Sequence, residues 1–198
     1  LIFSGSYNSA MNAKEMIEEE NPDANITVID SKQNTVTQAL IIDQMVRMRD
    51  AGISFEDSLK KLEPLMASAR IFFTVGSLDY LKMGGRIGKL ASIASKIDVK
   101  PVIIMKDGDI SLGGIGRNRN KLKAKVLSTA KAYLDENGKD NFVVSVGYGY
   151  DKTEGVSFMN DVEETLGVKL NSETNVAIGI VSGPHPIGLG VIRKYETL

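Results

Sequence analysis

A chain of 198 residues, 42% hydrophobic and 25% charged, is long enough for one large or two small domains with well-formed cores. A net charge of −1 argues against a globally basic nucleic-acid binder, the lack of cysteine removes disulfides and thiolate chemistry, and the single histidine excludes zinc sites that need two imidazoles. No apolar run approaches the roughly 20 residues of a membrane span and no secretory signal opens the sequence, so the expectation is a cytoplasmic protein without a metal or cofactor.

Leu1 to Phe3, followed at once by Ser4-Gly5, reads as the end of a buried strand whose start is missing, so an upstream segment is expected. A helix then runs from about Tyr7 to Glu20, where Asn21-Pro22 stops it. Ile26 to Ile29 (ITVI) reads as a short strand ending at Asp30-Ser31. A second helix spans Val36 to Asp50, closed by Ala51-Gly52, and Ser54 with Asp57 opens a third as an N-cap. Strand and helix alternating in this way predict a parallel sheet covered by helices. From Arg70 the pattern changes. Ile71–Gly76 and Val99–Gly114 read as strands, the latter folded at Asp107-Gly108 into a hairpin. A charged helix over Asn118–Glu136, a strand over Phe142–Gly149, a helix over Gly155–Leu166, and strands over Asn175–Val181 and Ile187–Ile192 follow. Hairpins among helices predict a mixed or antiparallel α/β layer. The expectation is therefore an α/β fold of two parts, with residues 1–68 the remainder of an N-terminal domain and 69–198 a C-terminal one.

Three places carry candidate chemistry. Ser4-Gly5-Ser6 stands between a strand and a helix, where hydroxyls and free N–H groups at a helix start suit an anion; simple capping by Ser4 or Ser6 is the alternative. Gly84-Gly85-Arg86 joins two short apolar helical segments, so a close-approach turn carries an always-charged fork, or else a solvated one. Gly84–Lys89 is not a nucleotide-binding loop, because the G-x-x-x-x-G-K-[ST] pattern needs a hydroxyl where Leu90 follows Lys89. His185, in Ser182–Gly190, is either a structural hydrogen-bonder or a ligand group. Arg117, Arg119, Lys121, Lys123 and Lys125 recur at every second position, which on a helix spreads charge around a solvated surface. No aromatic residues interleave them, which disfavours nucleic acid. Glu18–Glu20 read as a solvated helix end, and Asp98, Asp107 and Asp109 as turn residues.

Taken together, SGSYNSA (Ser4–Ala10), VIDSK (Val28–Lys32), LDYLKMGGRIGKLASI followed by VKPVIIMKDGDI (Leu78–Ile110), GIGRNRNK (Gly114–Lys121) and the Gly-rich end with His185 resemble, in order, the DegV family of fatty-acid-binding proteins. The resemblance covers essentially the whole chain and implies a two-layered DegV-like (EDD) architecture lacking the family's N-terminal segment. It implies a carrier rather than an enzyme. A long-chain fatty acid would lie in an apolar pocket, its carboxylate held by Ser4, Gly5 and Ser6 with His185 and Arg86, and would be presented to a separate fatty-acid kinase for acyl-phosphate formation in phospholipid metabolism. Arg117 would face that kinase, and contact with membrane would be transient and superficial. Here Gly183-Pro184 precede His185, whereas the family commonly places the histidine before a Gly-Pro-Gly run. Each buried methylene contributes about 0.8 kcal/mol, so a sixteen-carbon tail gains on the order of 12 kcal/mol before association costs. The alternatives are an α/β hydrolase-like enzyme with Ser4 as nucleophile and His185 as base, which lacks a G-x-S-x-G pattern, and a non-lipid interaction module.

Overall fold

The computed structural model describes residues 5–91, 100–175 and 182–198. Its helices are α1 (Ser6–Glu20), α2 (Thr35–Asp50), α3 (Phe55–Ser68), α4 (Asp79–Met83), α5 (Arg119–Asn137) and α6 (Lys152–Leu166). Strands β1 (Arg70–Thr74), β2 (Lys100–Lys106), β3 (Asp109–Gly116), β4 (Phe142–Tyr148), β5 (Ser172–Asn175) and β6 (Ile187–Arg193) form one sheet in the order β3-β2-β1-β6-β4-β5. Neighbours are antiparallel except β4 and β5, which run parallel. The fold is therefore α/β with the mixed, mainly antiparallel sheet expected after residue 69. Asp107 and Gly108 make the β2–β3 turn with φ of 51° and 78°, both positive as a type I′ hairpin requires.

Alternation along the strands divides the core between two faces. Phe72, Val102, Val144, Leu189 and Val191 pack with one stripe of α5 (Leu122, Val126, Ala130, Leu134) and with Phe158 and Val162 of α6. On the opposite face, Ile71, Val75, Ile103 and Met105 meet Leu78 and Leu81 beside α4. Further along that same face, Val143 and Ile192 are covered by Leu40 and Met48 of α2 and by Leu62 and Leu65 of α3. Helices from before residue 69 thus close one face of a sheet built entirely from residues after it. The third helix starts as its sequence dictates: the Asp57 N–H donates to the Ser54 hydroxyl at 3.1 Å.

One expected element is absent. Ile26–Ile29 forms no strand. β-branched residues favour a pleated surface only where a neighbouring edge offers its ladder, and among the described residues no strand pairs with this stretch. Helix α1 likewise contributes no buried side chain, and Met16 and Ile17 are exposed. The strand expected at Asn175–Val181 lies, beyond Asn175, outside the described residues.

Candidate functional site

The antiparallel register gathers several chain segments at one end of the sheet: the exit of β1, the entries of β2 and β6, and the exit of β4. A cleft of about 400 Å³ opens there. Gly76 and Ser77 after β1 and Tyr80 of α4 form one side, and Lys100 of β2 and Arg119, the first residue of α5, form another. Pro184 and His185 close it.

Backbone contacts fix the histidine's loop. The Gly149 N–H donates to the Pro186 carbonyl at 2.9 Å and the Tyr150 N–H to that of Pro184 at 2.8 Å. A side chain at Gly149 would put its Cβ 2.3 Å from the Pro184 oxygen, so only glycine allows this approach. Gly183, at φ +69°, lies against the Tyr80 ring, and a Cβ on Gly76 would sit 3.0 Å from that of His185. His185 itself is exposed at the cleft.

Arg119 is placed by a second network. Asn118 caps α5, its side-chain oxygen accepting from the Asn120 N–H at 2.9 Å, and this sets Arg119 in the first turn. The guanidinium grips Glu154, in the first turn of α6, with Nε at 2.8 Å and Nη2 at 2.7 Å. Nη1 is buried and has no hydrogen-bond partner among the described residues. Lys123 also approaches Glu154, at 3.7 Å. The Arg119 hydrogen bond is the main cause holding the Glu154 carboxyl below its ordinary value, against the opposing effect of burial.

Of the described residues expected to form a site, His185 alone lines this cleft. Gly5 is the N-cap of α1 and Ser6 its first residue, both exposed. Arg86 is half-buried after α4, where its Nη1 donates to the Gly84 carbonyl at 2.5 Å. Arg117 is exposed just beyond β3, whereas Arg119, two residues on, lines the cleft. Ser4 lies outside the described residues. Sequence reasoning missed Lys100, Arg119 and Glu154. The signal for Arg119 was its place directly after an Asn cap; treating the whole basic row as one solvated surface concealed it, since Arg119 and Lys123 are both part-buried against Glu154. Among the described residues, no group of His, Asp or Glu is placed to hold a metal, and no helix is long and apolar enough to cross a membrane.

Fold and cleft together define an α/β protein with a helix-covered mixed sheet and a cationic recess at one sheet end. The chain belongs to the DegV family: the family model described as "Uncharacterised protein, DegV family" matches residues 2–194. A DegV domain-containing protein of Staphylococcus aureus is 28% identical over 96% of this chain and 67% of its own length. A solved stearic acid-binding protein of Eubacterium ventriosum is 74% identical, with a TM-score of 0.96, covering 100% of this chain and 69% of that one. A DegV family protein of Thermus thermophilus, solved in a study of fatty-acid binding, shares the fold at 23% identity and a TM-score of 0.82 over 96% of this chain and 67% of that one.

Proposed function

We propose that this chain binds a long-chain fatty acid and acts as a carrier that performs no chemistry of its own. The observation that carries this reading is the 74% identity, over the whole chain, to a protein solved as a stearic acid binder. The tail would lie against β1 and β2 within Ile71–Val75 and Val102–Met105. On the face under α4 that surface would comprise Ile71, Phe73, Ile103 and Met105, which pack with Leu78, Leu81 and Ile87. Burying an eighteen-carbon tail there would contribute on the order of 13 kcal/mol before association costs. The carboxylate would be held by Ser4, Gly5 and Ser6, with His185 and Arg86 assisting, and presented to a fatty-acid kinase that approaches over Arg117. The placement of His185 in an open recess lined by two cations supports a carboxylate end that faces outward.

Native mass spectrometry of the purified protein, followed by denaturing extraction, tests this. A stoichiometric added mass that resolves into a free fatty acid is expected. A protein that stays ligand-free in the presence of palmitate and oleate overturns the reading. Ser4→Ala is expected to weaken lipid retention about tenfold or more, since a hydrogen bond to a charged group contributes roughly 1.5–3 kcal/mol; unchanged occupancy removes Ser4 from the site. For Arg117→Ala, retention should be intact while turnover by the kinase falls, and equal turnover would place the docking surface elsewhere.

A further inference from the structure

We propose that Gln33 is a specificity-determining residue at the far end of the acyl slot, its side-chain amide selecting tails that carry a hydroxyl over purely hydrocarbon ones. This deepens the carrier function and rests on that reading.

The motif VIDSK (Val28–Lys32) leads straight into Gln33, and the backbone there is closely held. The Lys32 N–H donates to an Asp30 carboxylate oxygen at 3.1 Å, and the Gln33 N–H to the Ser31 hydroxyl at 3.3 Å. Lys32 and the β-branched Thr35 take φ of 51° and 42°, left-handed values that are strained for such residues and persist only where the surroundings impose them. Between them, Gln33 is 8% exposed. Its Oε1 accepts from the Thr37 hydroxyl at 2.9 Å, while Nε2 is buried with no hydrogen-bond partner among the described residues. Turning the amide over would only exchange an unpaired donor for an unpaired acceptor. A buried polar group in that state is unfavourable, and a ligand oxygen relieves it. A hydroxyl both donates and accepts, so it satisfies the amide in either orientation.

Position ties this amide to the tail. A Cβ on Gly108 would sit 3.3 Å from that of Lys32, so the loop rests on the β2–β3 turn. A Cβ on Gly190 would meet the Val36 side chain at 2.6 Å and that of Thr37 at 3.0 Å, and Gly190 pairs with Ile71. Val36 packs with Ile71, Met105 and Ile110, in the apolar cluster that would line the tail. Ile71 pairs with Met105 at the end of β1 remote from the cleft, so Gln33 stands at the far margin of that cluster. From Gly76 at the cleft to Ile71 is roughly 17 Å of extended chain, a span within reach of a long acyl tail.

Stearic acid and hydroxystearic acids that differ only in the carbon bearing the hydroxyl would be competed in pairs for the purified protein, with occupancy read by native mass spectrometry. An isomer hydroxylated in the distal half of the tail is expected to win over stearic acid by about three- to tenfold, the value of one neutral hydrogen bond. Gln33→Met keeps a long flexible side chain without the amide, and should abolish that preference while still retaining stearic acid. The Thr37 hydroxyl keeps the Asn34 carbonyl at 3.0 Å as an acceptor, so the substitution strands no group. Gln33→Leu repeats the test with a different apolar shape, and the ranking by the parent protein decides even if both variants fold poorly. An unchanged preference in a folded variant overturns the proposal. A parent that holds stearic acid and ranks every hydroxy acid level with it overturns this selectivity alone. A parent that holds none of these acids overturns the carrier function and this inference with it.

Discussion

Replacing Gly188 with alanine is expected to remove most of the protein from the soluble folded pool. Gly188 lies in β6 between Phe73 of β1 and Gly147 of β4. A Cβ there would sit 2.2 Å from the Phe72 carbonyl oxygen and 2.4 Å from the Phe73 Cβ. The first of these is backbone already committed to the sheet, so no rotamer relieves the overlap and the β1–β6 ladder must part. We expect a cost of about 3 kcal/mol or more, at the upper end for overpacking. Gly113→Ala is the internal comparison. Its Cβ would come within 2.9 Å of Ile104 Cγ1 and 3.2 Å of Val102 Cγ1, side-chain rather than backbone atoms, on the edge strand β3. Its cost should stay near 1 kcal/mol. Thermal unfolding of the two variants decides the matter, and equal midpoints would show that the central ladder tolerates a side chain.

Phe72→Ala is expected to destabilise by about 3–5 kcal/mol, the range for deleting a buried aromatic ring. Phe72 is 2% exposed. Its ring lies 5.8 Å from that of Tyr133, which in turn meets Phe142 edge-on at 5.7 Å. The surroundings cannot collapse into the space vacated. The Tyr133 hydroxyl donates to the Ser68 carbonyl at 2.9 Å, and the Arg70 guanidinium covers the ring's face at 5.2 Å. Phe72→Leu, which keeps most of the volume, should cost under about 1.5 kcal/mol. Urea midpoints with an unchanged slope would register both losses as stability. A midpoint for Phe72→Ala within error of the parent would mean that the site repacks freely.

Local chemistry was readable and long-range pairing was not. Asp107-Gly108 announced its hairpin because only a few dipeptides accept two successive positive φ values, and Ser54 announced its helix because a hydroxyl meets the Asp57 amide. The apolar runs identified most strands, but not that β6 would lie between β1 and β4, since no residue of Ile187–Arg193 encodes its neighbours. Ile26–Ile29 failed for the converse reason: its composition favours a strand, yet the described chain offers it no edge. The site divides in the same way. His185 stood out as the sole imidazole, whereas Arg119 looked like its basic neighbours until the fold brought Glu154, 35 positions away, against it.

The position of β6 also governs how the chain can acquire its shape during synthesis. Its partners β1 and β4 leave the ribosome long before it does, because Arg70 pairs with Val191 and Phe142 with Arg193. At about 5–20 residues per second, the nascent protein spends roughly 1–4 seconds, the interval from Asn175 to Arg193, as two separate ribbons, β1–β2–β3 and β4–β5. During that interval β1 and β4 each present an unsatisfied, strongly apolar margin, the kind of surface that recruits a neighbouring chain. Dependence on chaperones, and loss to inclusion bodies when translation outpaces them, would therefore concentrate in the moments before residues 187–193 emerge.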